Sequence, residues 1–86
     1  MPEISRFYGI IIRMFYREHG QAHFHVQYGG QNAVFSLEPI ANMRGSLSPR
    51  ALRLVVEWAE LHRGELLDDW QLASEKRALK PIAPLE

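Results

Sequence analysis

The fold is decided by residues 23–37, which read His-Phe-His-Val-Gln-Tyr-Gly-Gly-Gln-Asn-Ala-Val-Phe-Ser-Leu. Residues 23–28 alternate strictly between polar and apolar side chains, a pattern typical of a half-buried strand. Residues 31–37 contain further strand-forming types, and Gly29-Gly30 separates the two runs. Because glycine accepts the positive φ angles that tight hairpin turns require, the sequence predicts a two-residue β-hairpin.

The Gly-Gly turn also sets the register of the two strands. Side chains that lie directly opposite each other point to the same face of a sheet. One face then carries the pairs Tyr28–Gln31, Val26–Ala33 and Phe24–Phe35, and the other carries Gln27–Asn32, His25–Val34 and His23–Ser36. A slip by one residue would bury both histidines and expose Phe24 and Val26, so we expect this register to be well specified.

The segments on either side of the hairpin predict one further strand. Residues 6–16 are mostly aromatic and β-branched, which favours a strand whose Ile10 and Ile12 face the core. Residues 17–22 are polar and predict a loop. Residues 38–47 contain proline and glycine and predict a connection. The expected sheet is therefore a three-stranded antiparallel meander.

Two helices are expected after the sheet. Ser48-Pro49 is a typical helix start, because serine caps the first turn and proline tolerates the first helical position. An amphipathic pattern follows, and Gly64 is expected to end this helix or to bend it sharply. Residues 65–77 predict a second helix, with acidic residues first and basic residues last, as the helix dipole favours.

The sequence thus predicts an α+β fold, with both helices packed on one face of the sheet and a single domain over residues 1–86. The tail over residues 80–86 contains two prolines and is not helical, although its apolar side chains can reach the core. The acidic run Glu65, Asp68 and Asp69 is expected to be a solvated face. The predicted core residues are Phe24, Val26, Phe35, Leu54, Trp58, Leu61, Leu66 and Trp70.

Composition excludes several classes of function. The chain has no cysteine, so it has no thiol nucleophile, disulfide framework or thiolate zinc site. Its net charge is zero, but residues 1–50 hold five arginines against three glutamates, whereas residues 51–86 hold five basic and seven acidic residues. We expect no membrane segment and no signal peptide, hence a cytoplasmic location.

One group of polar residues stands out as a candidate site. Three of the four histidines, His19, His23 and His25, lie within seven residues. His23 and His25 are two apart on a strand, so their side chains point to the same face, away from the predicted core. Arginine favours phosphate, which makes nearby basic side chains candidates for binding nucleic acid. These candidates are Arg13, Arg17 and Arg6.

Three interpretations of the histidines remain open. His19, His23 and His25 could be catalytic residues in acid–base chemistry on RNA, with arginine stabilising charge on phosphate. Alternatively, His23 and His25 could bind a metal ion, with His19 or Glu18 as the third ligand. In the third interpretation they are only the polar side of a half-exposed strand. No cofactor is indicated by any motif.

The chain resembles a small bacterial family known only as domain of unknown function 4160. The resemblance covers nearly the whole chain. The segments that carry it are residues 2–14, Glu18-His19, residues 22–26, Tyr28-Gly29, residues 50–55, residues 57–63, residues 65–67 and Trp70. Proteins of this kind are often encoded beside a second small protein that looks DNA-binding, an arrangement that resembles a toxin–antitoxin module.

This resemblance implies a stand-alone cytoplasmic protein with a small cognate protein partner and an RNA target. It supplies no catalytic residues. We therefore expect a toxin-like component that acts on or binds RNA through the face bearing histidine and arginine. The alternatives are a protein-binding or antitoxin-like module without enzymatic activity, and a metal-binding protein that uses the His-x-His pair.

Overall fold

In the computed structural model, which describes residues 2–86, five strands are followed by two helices. The strands form one antiparallel sheet in chain order. Their bounds are β1 (Glu3–Phe7), β2 (Ile10–Arg13), β3 (His23–Tyr28), β4 (Gln31–Leu37) and β5 (Ile40–Gly45). The helices are α1 (Pro49–Leu61) and α2 (Arg63–Ser74). The α+β class is confirmed, but the meander has five strands instead of three.

The central hairpin has the predicted register. The β3–β4 partners are Tyr28–Gln31, Gln27–Asn32, Val26–Ala33, His25–Val34, Phe24–Phe35 and His23–Ser36. Phe24 and Phe35 stack on the core face with their ring centroids 5.6 Å apart. Gly29 has a φ of 57°, as the turn requires. Periodicity and turn chemistry were therefore sufficient to define this hairpin.

The prediction of a single strand over residues 6–16 is wrong, because the chain turns back at Tyr8-Gly9. These two residues have φ angles of 50° and 80°, and β1 pairs with β2 across them. Tyrosine rarely adopts a positive φ, so the run of strand-forming residues concealed the turn. Ile10 and Ile12 are nonetheless fully buried, as the alternation predicted.

The prediction of an irregular connection over residues 38–47 is also wrong, because residues 40–45 form the edge strand β5. This strand pairs with β4 directly after a turn at Glu38-Pro39. Its residues are mostly exposed, so it lacks the hydrophobic alternation from which strands are recognised. Gly45 has a φ of 77°, and a Cβ there would overlap the carbonyl of Asn32.

Helix α1 covers the core face of the sheet. As predicted, it begins at Pro49, and the side chain of Ser48 accepts a hydrogen bond from the backbone N–H of Ala51. The Trp58 ring lies 5.3 Å from that of Phe7 and 6.1 Å from that of Phe24. Leu61 was expected in the core, but it is the last residue of α1 and is 67% exposed.

The two predicted helices are confirmed, but the break between them lies at His62 instead of Gly64. His62 has φ −118° and ψ 23°, and its Nδ1 lies 2.6 Å from Glu65 Oε1 in the first turn of α2. Gly64 lies inside α2. Within residues 2–86, no helix is long and apolar enough to cross a bilayer.

Helix α2 buries a stripe that includes one unexpected residue. Leu66 is buried as predicted, and Ala73 is buried with it. Asp69, expected to be solvated, is 1% exposed and accepts a hydrogen bond from the backbone N–H of Lys80. The tail returns over the sheet edge, where the Ile82 N–H donates to the Ile4 carbonyl at 2.8 Å. Asp69 is therefore buried because the tail folds back beside α2.

Candidate functional site

The loop between β2 and β3 holds Glu18 against the start of β3. Arg17 has a φ of 66°, which changes the direction of the chain just before Glu18. The Tyr16 hydroxyl donates to the Arg77 carbonyl at 3.0 Å, which ties the loop to the segment after α2. At the other end of the loop, the Leu37 N–H donates to the Ala22 carbonyl at 3.1 Å. The loop is thus fixed on both sides of Glu18.

Glu18, His23 and His25 form one cluster, which we call the His–Glu cluster. Glu18 Oε1 lies 2.7 Å from His25 Nε2 and 3.0 Å from His23 Nε2. All three candidate ligand atoms lie within 4.8 Å of one another. Strand alternation placed the two imidazoles side by side, as predicted, and the loop supplies the carboxylate that joins them.

His23 is held at both ring nitrogens. Its Nδ1 lies 2.9 Å from the Gln21 carbonyl oxygen, which can only accept a hydrogen bond, so Nδ1 carries a proton and donates. In the neutral ring, Nε2 then has a lone pair that faces the Glu18 carboxylate. Two acceptors at 3.0 Å repel each other unless a proton or a cation lies between them.

Aromatic side chains enclose the two imidazoles. The Trp70 ring of α2 lies 4.9 Å from the His23 ring, and the Phe15 ring meets the His25 ring edge-on at 4.5 Å. His23 is therefore 8% exposed. Trp70 was expected to be a core residue; it is half-buried, packs against the core and also covers this cluster. The sequence missed that role because it required α2 to reach the end of the sheet.

The cluster keeps Glu18 in its charged form. Partial burial raises the pKa of Glu18, but hydrogen bonds and positive charge from His25 and His23, when these rings are protonated, outweigh that effect. The net result is a pKa below the ordinary value. At neutral pH the cluster therefore presents a carboxylate to two imidazole nitrogens.

The face of the sheet opposite α1, which we call the open face, carries arginines beside His25. Arg13 lies opposite His25 in the β2–β3 register. His25 lies opposite Val34, and Val34 lies opposite Arg44, so these four residues form one row across the sheet. Arg13 Nη1 donates to Gln27 Oε1 at 2.5 Å. A cavity of about 440 Å³ is lined by Arg13, Phe15, His25, Val34 and Arg44 among others.

Arg44 is the residue that the sequence interpretation missed, because β5 was not recognised as a strand. The available signal was the turn-forming Glu38-Pro39 pair, which separates β4 from residues 40–45 by two positions. Recognising the strand would not have been enough, because a regular register from this turn pairs Val34 with Met43 and places Arg44 on the core face. The register irregularity between Val34 and Phe35 moves Arg44 opposite Val34, on the open face. Arg44 is exposed.

The other predicted site residues are not in the cluster. His19 is exposed and lines a separate cavity of about 300 Å³ together with Arg17, Glu18 and Trp70. Arg6 forms an ion pair with Glu3 at 2.7 Å on the edge strand β1. Of the six predicted residues, the structure brings together His23, His25 and Arg13.

This arrangement can support two kinds of chemistry. Imidazole can exchange protons with a bound ligand near neutral pH. A carboxylate oxygen and two imidazole nitrogens can also act as metal ligands. The arginines on the open face add donors whose geometry matches phosphate oxygens.

Comparison with known proteins identifies one family model. It is described as Domain of unknown function (DUF4160) and matches residues 9–71, a range that contains the His–Glu cluster, Arg13 and Arg44. No curated protein matches the chain, and no solved structure matches it.

Proposed function

The chain belongs to the DUF4160 family, whose function is unknown, and we propose that it binds RNA through the open face of its sheet as the toxin-like component of a two-protein module. The bound ligand is the phosphodiester backbone of single-stranded RNA. The residues assigned to this contact are Arg13 and Arg44, which flank His25.

The observation that carries this proposal is the cavity where Arg13 and Arg44 meet His25. Within residues 2–86 neither arginine forms an ion pair, whereas Arg6 pairs with Glu3 and Arg63 pairs with Glu60. The planar guanidinium group donates two parallel hydrogen bonds to phosphate oxygens. Glu3 lies opposite Arg13 in the β1–β2 register, but it pairs with Arg6 instead. Two guanidinium groups without an ion pair around one cavity therefore favour an anionic ligand.

The aromatic lining of the same cavity supports RNA over a simple anion. Phe15 and the His25 ring line it beside the two arginines. Proteins recognise single-stranded RNA by stacking unpaired bases on aromatic or histidine rings while basic groups hold the backbone. The cavity offers both kinds of contact side by side.

RNA affinity tests the proposal directly. For a labelled single-stranded RNA, we expect the Arg13→Ala/Arg44→Ala double variant to bind about tenfold more weakly than the wild type, because it loses two phosphate contacts. The slope of log affinity against log salt concentration should fall by about 1.4, or about 0.7 for each contact. Fluorescence anisotropy measures both quantities.

Arg6→Ala is the matched control, since Arg6 is a strand arginine that is already neutralised by Glu3. It should leave both the affinity and the salt slope close to the wild-type values. Equal affinity of the double variant and this control would contradict the proposal.

The toxin-like part of the proposal concerns growth and a partner. We expect expression of the wild type to arrest bacterial growth, and the His23→Ala/His25→Ala variant to do so much less. Co-expression of the small protein encoded next to it should restore growth. Co-purification with that protein, in the absence of RNA binding and growth arrest, would favour the antitoxin-like alternative instead.

A further inference from the structure

We propose that the His–Glu cluster binds one divalent transition-metal ion, such as Zn²⁺, through Glu18 Oε1 and the Nε2 atoms of His23 and His25. The argument rests on the cluster itself and does not require RNA binding. Only the role of the ion toward RNA, given below, rests on the proposed function.

The three ligand atoms already converge. Oε1 of Glu18 lies 2.7 Å and 3.0 Å from the two Nε2 atoms, and all three atoms lie within 4.8 Å of one another. In a tetrahedral zinc site, bond lengths of about 2.0–2.2 Å separate neighbouring ligand atoms by about 3.4 Å. Admitting the ion therefore requires the carboxylate to move about 0.4–0.7 Å away from the imidazoles, with the two rings adjusting so that both Nε2 atoms reach the ion.

The hydrogen bond behind His23 selects the tautomer that a metal needs. Because Nδ1 donates to the Gln21 carbonyl, the neutral ring directs its Nε2 lone pair toward Glu18. Metal-binding histidines commonly donate their other ring N–H to a carbonyl or carboxylate in this way. A cation between Nε2 and Oε1 converts a repulsive contact into two bonds, and a second proton on His23 is the competing explanation.

The surroundings hold the ligands without closing the site. His23 and His25 lie on one strand, and their rings pack on Trp70 and Phe15, which restricts how the imidazoles can rotate. The side chains of Glu18 and His25 are 29% and 26% exposed, so an ion can enter from solvent. Three protein ligands leave at least one position for water or another ligand.

The donor set determines the class of metal. Two imidazole nitrogens favour Zn²⁺, Ni²⁺, Cu²⁺ or Fe²⁺, whereas Mg²⁺ and Ca²⁺ favour sites made only of oxygen ligands. If RNA binds as proposed, the ion would lie next to the phosphodiester held by Arg13 and Arg44. There it would act as a Lewis acid on a phosphate oxygen.

Metal binding to tag-free, chelator-treated protein tests this inference. Calorimetric titration with Zn²⁺ should give one site per chain, and Co²⁺ should give visible absorption bands of a low-coordinate site. Glu18→Gln and His25→Ala should each weaken Zn²⁺ binding by about tenfold or more, because each removes one of three ligands.

Two controls distinguish the cluster from adventitious histidine binding. His62→Ala removes another histidine paired with a glutamate, at 2.6 Å from Glu65, but without a third ligand among residues 2–86. His19→Ala removes the exposed histidine next to Glu18. Both variants should bind Zn²⁺ like the wild type.

The metal and RNA proposals can fail separately. The titration contains no RNA, so absence of stoichiometric binding, or equal loss in the His62 control, would overturn the metal site alone. Retained metal binding in the Arg13→Ala/Arg44→Ala variant, together with no RNA affinity in the wild type, would overturn the RNA proposal alone. Circular dichroism of each variant verifies that the fold is intact.

Discussion

Asp69 shows how a single residue can link two parts of this fold. Its Oδ1 accepts a hydrogen bond from the Lys80 N–H at 2.9 Å, while Oδ2 is buried without a hydrogen-bond partner among residues 2–86. Burial raises the pKa of this carboxyl group, and the contacts with Lys80 only partly offset the effect. Asp69 therefore anchors the tail at an electrostatic cost that increases when the group ionises.

This cost predicts a pH-dependent stability. The folded state favours the protonated carboxyl, so between the ordinary pKa of 3.8 and the raised pKa it binds more protons than the unfolded state. The free energy of unfolding therefore falls as the pH rises over this range. Asp69→Asn removes that component. We expect its free energy of unfolding to increase relative to the wild type across this pH range, as measured by urea denaturation.

The neighbouring Asp68 provides the control, since it is exposed on the same helix. Asp68→Asn should alter the pH dependence much less than Asp69→Asn, because the charge of Asp68 is only one of the smaller causes that raise the pKa of Asp69. If Asp69→Asn gave a constant difference from the wild type over this pH range, the buried carboxyl would not titrate as described.

The elements of the sheet differ in how far the sequence could define them. Residues 23–37 carry both a hydrophobic alternation and a glycine turn, and these determined the hairpin and its register. Tyr8 turns the chain without a typical turn residue, and β5 has no buried alternation, so neither could be recognised. Edge strands are held largely by backbone hydrogen bonds, which leave little trace in side-chain pattern.

The same difference applied to the candidate site. His23 and His25 were placed together because strand alternation is regular. The choice between Glu18 and His19 as their neighbour depended on the path of an irregular loop, which no periodicity encodes. The position of Arg44 depended on β5, and was missed with it.

At the scale of an element, the attachment of β5 depends on Gly45. A Cβ at this position would overlap the Asn32 carbonyl, and the φ of 77° is unfavourable for other residues. We expect Gly45→Ala to lower the free energy of unfolding by about 1–3 kcal/mol. Thermal or urea denaturation measures this loss.

Gly30→Ala is the comparison, because Gly30 lies in the turn between β3 and β4 and has open space around its Cα. It should change stability by less than about 0.5 kcal/mol. A similar effect of both substitutions would show that close packing at Gly45 does not hold β5 in place.

For the whole molecule, the net charge of zero results from two unlike layers. The sheet and its loops contain arginine and three of the four histidines, whereas the chain from residue 51 onward has two more acidic than basic groups. Helix α1 covers the core face, which leaves the open face with Arg13, His25 and Arg44 available to solvent. The two layers therefore predict that an anionic ligand meets the sheet and not the helices.

Amide chemical-shift mapping with single-stranded RNA tests this central claim most directly. The account predicts that added RNA shifts the resonances of β2, β3 and β5 around Arg13, His25 and Arg44. The exposed stripe of α1, which also bears arginine at Arg50 and Arg53, should remain unchanged. Shifts confined to α1, or no shifts at all at RNA concentrations well above those of the protein, would contradict the account.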